Sequence, residues 1–271
     1  MSKAVLATQM AVPKVPMAKQ AILFLVALGL ASAGAAWGFL DIMAAAVIDG
    51  GESEGATYAG AYLALQLVFT SIAIPQVAKL CRRLGEVKAF RLAHRSVTLI
   101  WALAGSLMLM GYTEEWLLLV FAPFFGALMG FTVVLNPLIA SRLMPGEDTS
   151  RVSARMSAVG GIGWGGGALI GGWITSHSAL GWGVLAAGLS VIPLALLSVQ
   201  SLQPEAKIAA KLAPKESLGT WQLLKKNRDL LTVALLSAGL ACFSAPLIGL
   251  TVPVAEELYH REFISSASII A

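Results

Sequence analysis

One ionisable side chain interrupts the first long apolar run of the chain. Between residues 21 and 48 the only charged residue is Asp41, in Gly38-Phe-Leu-Asp41-Ile. An ionisable group inside a bilayer-crossing helix is energetically costly and is functional by default. A carboxyl group facing a half-wet cavity can take up a proton from one side and release it to the other, which makes Asp41 the proton-coupling candidate. About 20 residues already suffice to cross the hydrocarbon, so the alternative is a span that ends near Phe39 and leaves Asp41 at the interface.

Two further polar residues fall inside apolar runs. Gln66 and Asn136 are candidates for lining a substrate cavity, although Asn136-Pro137 also reads as a helix kink. A glycine-rich stretch, Gly163-Trp-Gly-Gly-Gly167-Ala-Leu-Ile-Gly171-Gly172, repeats glycine every four residues. On a helix these residues share one face, where the backbone can meet a neighbouring helix closely. A third cluster is Arg82-Arg83-Leu-Gly85, in a strongly basic stretch.

Other chemistries find no support. The histidines, His94, His177 and His260, lie in or near expected loops and lack metal spacing. There is no Gly-x-Ser-x-Gly nucleophile elbow and no Gly-x-x-x-x-Gly-Lys-[Ser/Thr] phosphate loop. The two cysteines, Cys81 in the basic stretch and Cys242 in an apolar one, support neither a disulfide framework nor a metal site. No enzyme activity, cofactor or metal is expected.

The elements that must position these residues are membrane spans. Apolar residues make up 57% of the 271 residues and charged residues 13%, far from the balance of a soluble domain. Runs long enough to cross a bilayer occur at 21–48, 57–78, 96–111, 116–140, 153–174, 180–199 and 230–254, and another begins at 263. Ala31-Ser32-Ala33 resembles a signal-cleavage site, but the apolar run continues past it, so the segment reads as a span.

Orientation follows from the Lys and Arg residues. All except Arg261 fall in the N-terminus, in the connections after the second, fourth and sixth runs or, for Arg155, at the entry to the fifth run, while Asp49, Glu52, Glu54, Glu114 and Glu115 mark the opposite connections. The expected topology is multi-pass with a cytoplasmic N-terminus, in a plasma or bacterial inner membrane. This placement of the net charge of +4 reads as topology and not as nucleic-acid binding.

The organisation is uneven. Residues 1–20 form a cytoplasmic N-terminus, 21–199 a six-span bundle, 200–229 a basic cytoplasmic linker, and 230–271 the start of a second bundle. Six spans, a linker and further spans is the layout of transporters built from two similar halves.

At this point the residues resemble the major facilitator superfamily, and in particular its drug:proton antiporter branches. The superfamily's Gly-x-Leu-x-Asp-Arg-x-Gly-Arg-Arg loop is similar to Ala78-Lys-Leu-Cys-Arg82-Arg83-Leu-Gly85-Glu86-Val87, with Ala78, Arg82 and Glu86 departing from it. The antiporter pattern Gly-x-x-x-Gly-Pro-x-x-Gly-Gly is similar to Gly163–Gly172, with Ala168 in place of proline. Asp41 sits at a position similar to an acidic residue of the long drug-antiporter branch, whereas the arginine the family carries in its fourth span is missing near Ala122.

The resemblance implies an all-α membrane fold and a secondary transporter working by alternating access. Its partners would be the lipid bilayer, an unidentified small-molecule substrate and protons, with no nucleic acid. It also implies a charge relay at the Arg82–Gly85 loop that latches the two halves, the alternative being a plain positive-inside loop. Because the sequence stops within an apolar run at Ala271, the other reading is a truncated, non-transporting fragment or a subunit that needs a partner.

Overall fold

The computed structural model describes residues 16–175, 177–197 and 232. The expected linker at 200–229, the seventh run at 230–254 and the run from 263 lie outside the described residues. Within them the regular structure is entirely α-helical: α1 (Pro16–Leu84), α2 (Glu86–Leu109), α3 (Glu115–Leu143), α4 (Thr149–Thr175), α5 (Trp182–Ser190) and α6 (Ile192–Leu196).

Helix α1 has 69 residues, which as a straight rod would measure about 100 Å. It contains two membrane-length arms, Lys19–Ala45 and Thr57–Leu84. Phe24 and Val77, near its opposite ends, pack in one core cluster with Leu135, Ile139 and Leu143 of α3. Phe39 and Tyr62, near its middle, pack in another with Phe121 and Phe125. The chain therefore folds back between the two arms.

Glycine decides how the helices pair. On α4, a Cβ at Gly163 would strike the carbonyl of Gly29, one at Gly167 the backbone of Ala33, and one at Gly171 the Trp37 side chain at 2.6 Å. The first arm and α4 thus run parallel, in a register where residue i faces residue i + 134. The second arm and α3 are also parallel, with Gly126 against the Gln66 backbone and Gly130 against the Thr70 carbonyl. The Thr70 hydroxyl donates to the Gly126 carbonyl at 2.8 Å, so this pair is hydrogen-bonded across the interface as well as close-packed.

Helices α2 and α5 are antiparallel, with Gly105 against Leu185 and Gly188 against Ala102. Small residues allow such approaches, and in lipid, where apolar tails offer no hydrophobic drive between helices, close packing is what holds helices together.

Four described segments are long and apolar enough to cross a membrane: the two arms of α1, α2 and Trp116–Leu143 of α3. Helix α4, with 27 residues, has the length for a crossing of about 30 Å, but its glycines make it less apolar. The expected sixth span, 180–199, is found as the shorter apolar stretch Trp182–Leu196, divided between α5 and α6.

The basic stretch after the second arm departs from expectation. The expected connection at 79–95 is not a loop. Lys79, Arg82 and Arg83 lie in the last turns of α1, and Lys88, Arg91 and Arg95 in the first turns of α2. Gly85 alone joins the two helices, with φ of 80°, a conformation glycine adopts without penalty. Helices can end on basic residues because cations favour the C-terminal end of the dipole. Cys81, expected in that loop, is likewise helical.

Glu86, one of the departures noted above, forms an ion pair with Arg142 in the last turn of α3. Both side chains are partly buried, so the pair is expected to contribute about 1 kcal/mol. Glu86→Arg should lower the thermal unfolding midpoint, and the reciprocal double change Glu86→Arg/Arg142→Glu should recover most of the loss. A double variant no more stable than the worse single one would show that the two charges act separately.

Candidate functional site

The first arm carries Asp41 into the interior at the end of the bundle remote from these basic residues. Asp41 is 1% exposed. It follows Trp37 by one helical turn on the face that packs against α4, so it is the next rung of the ladder formed by Gly29, Ala33 and Trp37. The facing residue is Thr175, whose hydroxyl donates to Asp41 Oδ1 at 2.5 Å. Trp37 Nε1 donates in turn to the Thr175 hydroxyl at 3.0 Å.

The other carboxylate oxygen is held by backbone. Gly181 N and Gly183 N donate to Asp41 Oδ2 at 2.9 and 2.7 Å. These amides open α5, where Gly181 is the N-cap residue with φ of 102°. The first N–H groups of a helix have no partner within it, and the dipole there favours negative charge. Asp41 thus caps α5 from a different helix.

Glycine is required at both amide positions. A Cβ at Gly181 would stand 2.8 Å from Met108 Cβ, and one at Gly183 2.8 Å from Asp41 Cγ. Hydrogen bonds to a charged group are worth about 1.5–3 kcal/mol each, so three donors offset much of the desolvation that burial imposes.

Helix α1 continues beyond Asp41, and the carboxylate is buried and held by donors. The enclosing groups come from residues 134 to 142 positions away, a relation that spacing along the sequence does not reveal. Thr175 was missed for that reason. The only available signal was the four-residue repeat continued one step, from Gly171 to Thr175.

The other candidates are not gathered around Asp41. Gln66 is half-buried in the second arm; its Nε2 lies 3.6 Å from Met129 Sδ, and its carbonyl accepts from Thr70. Asn136 is half-buried on α3 beside the ring of His94, and its Oδ1 is buried without a hydrogen-bond partner. Met129 and Asn136 are two turns apart on α3, about 10 Å along the axis, so Gln66 and Asn136 line no common point.

His94 itself corrects the expectation of a loop histidine. It is 1% exposed within α2, and its Nδ1 lies 2.9 Å from the Phe90 carbonyl. Pro137 and Pro123 both lie inside α3, which continues through them.

The glycine motif and the basic motif have different surroundings. Gly167, Gly171 and Gly172 are buried and Gly163 half-buried; with Ala168, which packs on Ala36 and Leu40, they form the seam with the first arm. Arg82 and Arg83 are exposed beside the half-buried Gly85. Ala122, where the resemblance would place an arginine, is fully buried in an apolar cluster with Phe39 and Phe121. Among the described residues no group of three or more His, Cys, Asp or Glu side chains is placed to hold a metal ion.

A glycine-sealed bundle of membrane-length helices, with one buried carboxylate among the residues whose burial is described, defines an all-α integral membrane protein. The Major Facilitator Superfamily profile matches residues 22–271, nearly the whole chain, and the protein belongs to that superfamily. It is accordingly a multi-pass membrane transporter in general class, from a superfamily of transporters and not of enzymes. A search of the curated proteins found no match.

Proposed function

We propose that the chain acts as a proton-coupled permease that exports small molecules by alternating access, with Asp41 as the proton-exchanging group. The observation that carries this reading is a carboxylate, the only one buried among the residues whose burial is described, that lies in a membrane-length arm and is bound at once to α4 and to the start of α5. A charge in that place is functional by default, and a change in its protonation alters how three segments are joined.

The drug:proton antiporter character is supported by the Gly163–Gly172 pattern and its close seam with the first arm. The basic end, with Arg82, Arg83, Arg142 and Arg151, is assigned to the cytoplasm by the excess of Lys and Arg. Substrate would approach from the exposed faces of the second arm and α3, where Gln66 and Asn136 are the polar candidates, and the residues beyond 230 would supply part of the facing half.

The test is transport in inverted membrane vesicles energised by a pH gradient, with a lipophilic cationic dye such as ethidium as probe. Dye accumulation should collapse when the gradient is dissipated, and Asp41→Asn should abolish that gradient dependence at matched amounts of folded protein. Dye accumulation that ignores the gradient would sink proton coupling. Gradient dependence that survives in Asp41→Asn would remove Asp41 from the mechanism.

A further inference from the structure

We infer that the outer face of α2 holds the headgroup of an anionic phospholipid, with Arg91 and Arg95 on its phosphate and Lys88 beside them. The site concerns the surrounding membrane and is independent of what the chain transports. Lys88, Arg91 and Arg95 are three and four residues apart, so they follow one another along a single side of the helix. Lys88 and Arg95 are exposed and Arg91 is half-buried. The same side continues in bare leucines: Leu92 is 48% exposed, Leu99 68% and Leu103 52%. The opposite side, with Phe90, His94 and Val97, is buried in the bundle. On a membrane-length helix such leucines face acyl chains, so cations and lipid-facing residues share one surface.

The direction of α2 gathers the three charges. Lys88 and Arg95 are seven residues apart, about 10 Å along the axis, and Arg95 stands between Leu92 and Leu99. A charge at that depth is drawn back to headgroup level along its flexible stem. Helix α2 begins at the basic end, and Cα–Cβ bonds tilt toward a helix's N-terminus. All three side chains therefore lean toward the headgroups. The second arm and α3 reach the same end by their C-termini, so Arg82, Arg83 and Arg142 lean the other way.

No acid of the described residues neutralises the gathered cations. Glu86, the one acid of α2, is paired with Arg142, and Glu147 is paired with Arg155. Asp148 is exposed ahead of α4 and forms no ion pair with the three. Asp49, Glu52 and Glu54 lie between the arms of α1, and Glu114 and Glu115 at the start of α3, all at the opposite end of the bundle. Like charges three or four residues apart on a helix repel, and more strongly where water is sparse. A phosphate between Arg91 and Arg95 relieves that repulsion, and guanidinium forks match its oxygens. The acyl chains would then run along Leu92, Leu99 and Leu103. An anionic head and an apolar tail are thus met in order on one surface, a combination that free phosphate would leave half unused.

The experiment is native mass spectrometry of the full chain, titrated in detergent with dioleoyl phosphatidylglycerol or dioleoyl phosphatidylcholine. Each basic residue at an anionic lipid surface is worth about fivefold in affinity. The wild type should hold phosphatidylglycerol about tenfold or more tightly than phosphatidylcholine. Arg91→Gln/Arg95→Gln should lose most of that preference. Arg82→Gln/Arg83→Gln removes the same charge from the same end and should keep it. Equal affinity of the wild type for the two lipids would overturn the inference, and this result depends on no variant. A preference unchanged in Arg91→Gln/Arg95→Gln would overturn it too, because the lipid would then sit elsewhere on the chain. So would a preference lost equally in both double variants, which would reduce it to net charge.

Discussion

Gly167→Ala is expected to destabilise the protein by about 2–3 kcal/mol, although it adds only one methyl group. The added Cβ would overlap the Ala33 backbone, which cannot swing aside as a flexible side chain can. The first arm and α4 would have to separate, loosening the rungs at Gly163 and Gly171 together. Gly166→Ala, one residue away, provides the contrast. Nothing stands within 4 Å of its Cβ position, and alanine is the better helix former by about 1 kcal/mol. Thermal unfolding in one detergent should rank Gly166→Ala at or above wild type and Gly167→Ala clearly below it. Equal midpoints for the two variants would mean that the seam is looser than its geometry.

The second large effect is expected at Asp41. Asp41→Leu removes the acceptor for a hydroxyl and two backbone amides in a place from which water is excluded. Leaving such partners unpaired costs about 3–5 kcal/mol. Asn keeps one acceptor oxygen for the backbone amides but loses the charge that strengthens each hydrogen bond, so Asp41→Asn should fall between wild type and leucine. The same unfolding assay orders the three proteins, and a leucine variant as stable as wild type would exclude the capping role. This ranking also sets the control for the transport test, since flux must be compared at equal folded protein.

How much of this was legible in the sequence depended on whether the signal was local. The apolar runs marked the four described segments that are long and apolar enough to cross a membrane, because burial in lipid demands length and apolarity together. The glycine repeat on α4 announced a close seam because its period matches the helix. The partner of that seam was not announced. Gly29, Ala33 and Trp37 share a face of the first arm, but the pattern of small residues is broken at Trp37 and ends in Asp41.

The basic stretch misled for a physical reason. Positive charge marks the side of the membrane on which a segment lies and says nothing of whether its backbone is helical. Hence an expected loop proved to be two helix ends and one glycine. His94 misled in the same way, since its basic neighbours Arg91 and Arg95 disguise a position facing Phe90 and Asn136. Ala122 and Ala168 were legible as departures from the superfamily pattern. Only the structure assigns them, to the apolar interior and to the seam respectively.

The junction at Gly85 carries a mechanical consequence. A connection one residue long has no slack, so the second arm and α2 cannot drift apart at that end. Arg82 and Arg83 stand on the last turn before it and are borne on a stiff mount instead of a tether. Their height against the lipid headgroups is then set by the tilt of the helices beneath them. Any tilt of the second arm would therefore carry both charges with it, whereas charges on a loop could stay behind.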